Sequence, residues 1–352
     1  MSADWLVKGG KIEAVTIARG PFRAEILNLG ASLRSLDVPD RNGDSANITL
    51  GYQDVEEYRG HPRFYGAIAG RYANRIGGAK FSLDGRSYTL PANNGPNNLH
   101  SGPLGLDQSF WDVTHRDDHS VTYSTLSPDG TNGFPGTLHV DVAYVLEEDG
   151  LAITFTATTD APTVVNLTHH AYFNLAGEAS ASAILDHWLQ IPASRTTPTD
   201  PSMVPTGAFA DVAGGPFDFR SPKPIGRDIG ADDVQLRQGR GYDHNFVLDT
   251  PAGRIRRVAT VFDPGTGRVL EVHSDQPGVQ LYTGNHLAGG APGTSGVSYP
   301  SRGGFCLEPQ NFPDAPNKPN FPSARLNPGQ KYTHAMAFRF RTAADQSEAF
   351  PG

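Results

Sequence analysis

Four short stretches gather the side chains able to move protons or hold hydroxyl groups. They are Gly70-Arg-Tyr-Ala-Asn-Arg-Ile-Gly77, Asn93-Asn-Gly-Pro-Asn-Asn-Leu-His-Ser-Gly102, Val165-Asn-Leu-Thr-His-His-Ala-Tyr-Phe-Asn-Leu175 and Gly304-Phe-Cys-Leu-Glu-Pro-Gln-Asn-Phe-Pro313. In the last, Glu308 follows the apolar run Gly304-Phe-Cys-Leu307. A carboxylate buried there is costly without partners, so it either faces water at an edge or is kept for function. Asp243, in Gly241-Tyr-Asp-His-Asn-Phe-Val-Leu248, repeats the pattern of charge at the mouth of an apolar strand, which also suits local turn bonds. His169 and His170 are adjacent on a predicted strand and must point to opposite faces, so at most one can look into a given cleft. His100 lies in a loop of Asn and Gly, and Arg71 and Arg75 are free to be solvated or paired with carboxylates. No one of these residues identifies a function by itself.

The elements that must position them are strands. Leu138-His-Val-Asp-Val-Ala-Tyr-Val-Leu146 alternates apolar with polar, passes through Glu147-Glu-Asp-Gly150, and resumes as Leu151-Ala-Ile-Thr-Phe-Thr-Ala157. Alternation of this kind puts the two chemistries on opposite faces, and Asp-Gly tolerates the positive φ of a tight hairpin. Phe81-Ser-Leu-Asp-Gly-Arg-Ser-Tyr-Thr-Leu90 repeats the device around Asp84-Gly85. Further strands are expected at 23–29, 121–126, 259–262, 269–274, 278–283 and 331–341. Helix signals are nearly missing, beyond one turn at 54–58, and Gly289–Gly303 reads as a long surface loop. The expected architecture is all-β: one large twisted antiparallel β-sandwich formed as a single domain over residues 1–352.

Composition agrees with this and narrows the partners. Gly (40) and Pro (28) make about 19% of the chain, against a usual ~12%, which favours short strands joined by turns. The 18 Phe, 12 Tyr and 3 Trp argue against disorder. A formal net charge of -8 without any Lys/Arg run makes nucleic acid an unlikely partner. No stretch approaches the ~18 apolar residues of a membrane span, and the start MSADWLVKGGKIEAVTIARG lacks the layout of a signal peptide. With Cys306 the only cysteine, no intramolecular disulfide forms; a cytoplasmic location is expected.

Taken together the stretches are specific. Gly70-Arg-Tyr-Ala-Asn-Arg-Ile, Asn98-Leu-His-Ser-Gly, Asn166-Leu-Thr-His-His-Ala-Tyr-Phe-Asn-Leu, Asp243-His-Asn-Phe, Pro277-Gly-Val-Gln-Leu-Tyr-Thr-Gly-Asn and Leu307-Glu-Pro-Gln-Asn-Phe-Pro-Asp-Ala-Pro-Asn resemble, in order, the motifs of the aldose 1-epimerase (galactose mutarotase) family. The resemblance runs from about Arg23 to Arg341. It implies a β-sandwich with a sugar site in an open cleft and interconversion of the α and β anomers of a free aldose such as galactose or glucose. On this basis Glu308 is expected as general base and His170 as general acid, with Asn74, Arg75, His100, Asp243 and Gln280 holding sugar hydroxyls. His169 stands where the family often has Asn and is given no role; Ser101 stands where Gly is frequent.

The expected chemistry takes one proton from the C1 hydroxyl and gives one to the ring oxygen, which calls for no metal and no cofactor. A carbohydrate-binding module would need no acid–base pair. A glycosidase would need two carboxylates, of which Glu308 and Asp243 are the plausible pair. A hexose-6-phosphate epimerase would want more cations than Arg71 and Arg75. A zinc site built from His100, His170 and Glu308 is conceivable but lacks close ligand spacing. The partner expected is a monosaccharide, bound by a monomer or homodimer.

Overall fold

A computed structural model describes residues 10–60 and 63–351; the start of the segment weighed as a signal peptide lies outside the described residues. The Leu138–Glu147 and Gly150–Thr159 strands form the expected hairpin, with Val142 opposite Phe155 and Leu146 opposite Leu151. Along the first of them alternate residues are buried, which is the sequence alternation turned into a core face and an outer face. At the Lys80–Leu83 and Arg86–Thr89 hairpin, Asp84 (φ 51°) and Gly85 (φ 75°) supply the two successive left-handed residues that a two-residue turn requires.

Every ladder between strands is antiparallel among the described residues. A nine-stranded sheet runs in the order Asp112–Arg116, Ser120–Ser127, Leu138–Glu147, Gly150–Thr159, Tyr332–Thr342, Arg268–Ser274, Arg256–Phe262, Trp188–Gln190, Lys223–Pro224. The strand nearest the C-terminus, Tyr332–Thr342, is thus inserted at the centre, between Gly150–Thr159 and Arg268–Ser274. A five-stranded sheet runs Ala210–Asp211, Arg195–Thr196, Asp243–Val247, Gly278–Tyr282, Cys306–Gln310, and a four-stranded one joins Ala14–Arg19 to Ser45–Asn47. One apolar core holds residues of all three, among them Ile26, Tyr144, Phe246, Leu281, Leu307 and Phe338. The protein is an all-β sandwich of this kind, with the sheets' apolar faces turned together.

The expected turn at 54–58 is a 3-10 helix, Val55–Tyr58, capped by the Asp54 carboxylate on the Glu56 N–H. Two short α-helices were not read from the sequence: Val234–Gly239, capped by Asp233, and Gln346–Ala349, capped by Asp345. Both are too short to show a helical apolar period. The Gly289–Gly303 segment is a loop, but a pinned one. Tyr299 is buried, and its hydroxyl donates to the buried Glu178 carboxylate at 2.6 Å.

Candidate active site

The five-stranded sheet lays out the floor of the site by register alone. Asp243 pairs with Tyr282 and Tyr282 with Cys306; Asn245 pairs with Gln280 and Gln280 with Glu308. With a period of two, these six residues share one face. Their neighbours Phe246, Val279, Leu281 and Leu307 share the other face and lie in the core. The face bearing Glu308 opens on a cleft of about 260 Å³, which Glu308, His170, His100, Asn74, Arg75 and Asp243 all line. A wider surface hollow of about 510 Å³ lies elsewhere. Its Asp218 and Arg220 are paired with each other, as are its Arg227 and Asp228.

His170 is carried just beyond the short Thr168–His169 strand, which pairs with Ile68–Ala69. Its Nε2 stands 3.8 Å from Glu308 Oε2, and its Nδ1 lies 3.6 Å from the Cys306 thiol. Both side chains are nearly inaccessible, and Glu308 Oε2 has no hydrogen-bond partner. Burial pushes His170 down to about 4, against which the Asp243 charge acts weakly. Burial, helped by Asp243, pushes the Glu308 carboxyl well up. Each group alone is therefore driven toward its uncharged form, which draws the pair's proton toward the glutamate.

Around this pair the polar residues are locked to one another. Gln280 donates to Asp243 Oδ1 at 2.7 Å, and Arg75 Nη2 stands 3.6 Å from Asp243 Oδ2. Arg75 also donates from Nε to Asn94 Oδ1 at 3.0 Å. His100 Nδ1 accepts the Asn74 backbone N–H at 3.2 Å, so the neutral ring carries its proton on Nε2. Burial first, then the charges of His170 and Arg75, hold His100 well below the ordinary imidazole range and keep it neutral. Of the residues expected to hold hydroxyls, Asn74, Arg75, His100 and Asp243 line the cleft; Gln280 is one layer behind, orienting Asp243. Four cleft residues other than glycine have left-handed backbones: Phe64 (φ 55°), Asn74 (62°), His100 (49°) and Met203 (65°). Such conformations cost of order 1–3 kcal/mol each and gather at functional sites.

The family model described as aldose 1-epimerase matches residues 13–339. The chain belongs to the aldose 1-epimerase family. It is 42% identical over 340 residues to the galactose mutarotase of Bos taurus, covering 97% of each chain. It is 38% identical over 318 residues to the aldose 1-epimerase of Escherichia coli, covering 90% of this chain and 91% of that one. Among solved structures it resembles an aldose epimerase homologue from C. elegans, with a TM-score of 0.86 and 30% identity, covering 95% of this chain and 100% of that one.

Several residues singled out within the family motifs lie outside the cleft. His169 turns the other way from His170, into the core, where its ring meets the edges of Tyr144 and Phe338 and neither nitrogen finds a partner. Arg71 is neither solvated nor paired with a carboxylate. Its buried guanidinium donates to the Pro135, Gly136 and Ser127 carbonyls and to the Ser127 hydroxyl, at 2.8 to 2.9 Å. Ser101 uses its hydroxyl to accept the Tyr72 N–H at 2.7 Å. Tyr72, Phe173 and Phe246, the aromatic residues of these motifs that could have packed on a sugar face, are all wholly buried.

The aromatic residues that do line the cleft are Phe64, Tyr172 and Tyr282. Two were open to strand alternation: Tyr282 lies two residues after Gln280, and Tyr172 two after His170. Arg63 and His286 also line the cleft and come from loops, which carry no such period. One group of metal-type ligands forms among the described residues, with His170, Cys306 and Glu308 offering atoms within 4.8 Å of one another. It brings in Cys306 in place of the His100 weighed above.

Proposed function

We propose that the chain is an aldose 1-epimerase that interconverts the anomers of free aldoses such as galactose and glucose by ring opening and reclosure. The carrying observation is the buried His170 and Glu308 pair, 3.8 Å apart and lining one cleft. In ring opening Glu308 takes the proton from the C1 hydroxyl as the C1–O5 bond breaks, and His170 gives its proton to O5. The aldehyde rotates about C1–C2. On closure O5 attacks C1, neutral His170 takes the proton leaving O5, and the glutamic acid returns one to O1. The pair ends as it began. Acid–base help of this kind is worth ~10²–10⁴-fold for each group.

Opening draws on the form with the proton on His170, closure on the form with it on Glu308. Burial favours the second when the cleft is empty. A bound sugar favours the first, because its hydroxyls donate hydrogen bonds to the carboxylate in place of the water it lost. Arg75 and Asp243, an ion pair with unused donors and acceptors, are suited to grip vicinal hydroxyls, as are the Asn74 amide and the His100 Nε2–H. Gln280 serves by holding Asp243.

An unphosphorylated aldose suits the site better than a hexose phosphate. Arg71 is committed to backbone carbonyls, and Arg75 to Asp243 and Asn94. The whole chain acts as one domain, since one core cluster runs from Val15 to Phe340. A monomer or homodimer in the cytoplasm is the accompanying reading. The lone cysteine is buried, and no described helix is long and apolar enough to cross a membrane.

The test is the optical rotation of freshly dissolved α-D-glucose and α-D-galactose, with and without protein. The protein should speed the approach to an unchanged final rotation. No acceleration of either sugar, with acceleration of a hexose 6-phosphate instead, would replace this reading by the phosphosugar one.

A further inference from the structure

Three aromatic rings and a thiol pack around His170. The Phe64 ring covers one face, 5.6 Å between centroids and 25° from parallel, and the Tyr172 ring stacks on it at 5.0 Å and 27°. His100 meets it edge-on at 5.3 Å, and Phe64 also leans on His100 at 4.6 Å. The Cys306 sulfur closes the Nδ1 edge. What is left open is Nε2, directed to Glu308.

Phe64 is also tied to His170 through the backbone. It begins a tight turn closed by the Ala67 N–H on the Phe64 carbonyl at 3.1 Å. The same turn grips His170 from both sides: Gly66 N–H donates to the His170 carbonyl at 3.0 Å, and His170 N–H donates to the Ala67 carbonyl at 2.9 Å. A bulky side chain with φ 55° is held there by this pairing. The turn therefore fixes two side chains against each other, one of them the proton donor.

We propose that Phe64 is a positioning residue for the reaction: it clamps the His170 imidazole against Tyr172 so that the ring cannot turn, and it keeps water off the ring face. The proposal rests on His170 being the acid. Rotation about the Cβ–Cγ bond swings an imidazole out of its own plane, into whatever covers its faces. With two nearly parallel rings stacked against it the swing is hindered, and Nε2 stays aimed at the cleft while Nδ1 stays on the thiol. A thiol suits that place. It accepts the Nδ1–H in both states, because the ring gives and takes its proton at Nε2 and keeps the hydrogen on Nδ1 throughout. Aromatic faces attract the imidazolium as well as hold it, which keeps the charged form within reach in a dry cleft.

The experiment compares Phe64→Ala, Phe64→Leu and Phe64→Tyr with wild type. Initial mutarotation rates are taken over a range of sugar concentration and pH, and each variant's melting temperature checks folding. Loss of the flat wall should lower kcat about tenfold to a hundredfold, as misplacement of a reacting group does. KM should stay within about twofold. Water reaching the ring eases its second protonation, so the acid limb of kcat should move to higher pH. Phe64→Tyr restores the wall and should restore both kcat and the limb. Leucine fills the space without a flat face, so it should behave as alanine does even if alanine folds poorly. A rise in KM at unchanged kcat would make Phe64 a sugar platform and overturn the proposal. So would an unmoved pH limb, or a tyrosine variant no better than leucine. If wild type itself failed to speed mutarotation, the functional reading would fall first, independently of the clamp.

Discussion

His170 Nε2 and Glu308 Oε2 stand 3.8 Å apart across the cleft, too far for a good hydrogen bond and close enough for both to reach one sugar hemiacetal. Glu308 Oε2 has no hydrogen-bond partner among the described residues, which is an expensive arrangement for a buried group. Replacing the carboxyl by an amide removes the base but not its volume. Glu308→Gln and His170→Asn should each lower kcat by at least ~10²-fold. The melting temperature of Glu308→Gln should not fall, and a variant that kept its rate would end the assignment of Glu308 as base.

The same burial sets a pH window. His170 is pushed down to about 4, so the ring takes up no proton near pH 6.5, and Glu308 is pushed upward. Activity should run flat through the ordinary histidine range and decline only well below it, as the pair takes a second proton. Initial rates, corrected for spontaneous mutarotation, check this. An acid limb centred on 6.5 would mean a solvated His170.

Asp243 is held by Gln280 and lies beside Arg75. Asp243→Asn should act on binding more than on chemistry. Losing one charge-assisted hydrogen bond costs roughly 1.5–3 kcal/mol, so KM should rise about tenfold to a hundredfold with a smaller change in kcat. Gln280→Ala should reproduce part of that rise through a loosened Asp243. Steady-state kinetics of both variants decide it.

Buried neutral histidines make the fold sensitive to acid. His169 is pushed down to about 3, and His187, His244 and His334 to about 4, in each case chiefly by burial. Their folded pKa values lie below the unfolded one near 6.5, so below that pH the unfolded chain binds the extra protons. Stability is full above about 6.5 and is lost as pH falls toward 3–4, by up to ~1.4 kcal/mol per pH unit for each residue. His169→Leu should remove one such contribution, and should not destabilise at pH 7, since neither ring nitrogen has a partner. Urea midpoints of wild type and variant at pH 7 and pH 5 measure the difference.

Arg71 separates structure from catalysis. Arg71→Met would leave the Ser127, Pro135 and Gly136 carbonyls short of donors. A loss of at least ~3 kcal/mol is expected, read as a lower melting temperature, while KM of the folded fraction stays unchanged.

Local pattern set much of this molecule. Strand alternation located the 138–157 hairpin, and Asp84-Gly85 its smaller counterpart, because period and turn chemistry are short-range properties. It also required that His169 and His170 part company, which they do, one into the core and one into the cleft. Of the site residues the family motifs point to, all but Gln280 line the cleft. Gln280, in register with Asn245 and Glu308, stands behind and reaches the cleft only through its hydrogen bond to Asp243.

Tertiary structure decided the rest. Arg71 and Arg75 are four residues apart in one motif, yet one is drawn into carbonyls at 127–136 and the other into the cleft. The Phe64 wall and the Cys306 thiol meet His170 from two distant stretches of chain, while Tyr172 comes from its own. Burial, and with it the protonation of His170 and Glu308, depends on what those stretches exclude. The sequence by itself determined the strand pattern, the family and the chemical types at the site. Distances between residues far apart in the chain, and the water they shut out, arise only when the sheets close on one another.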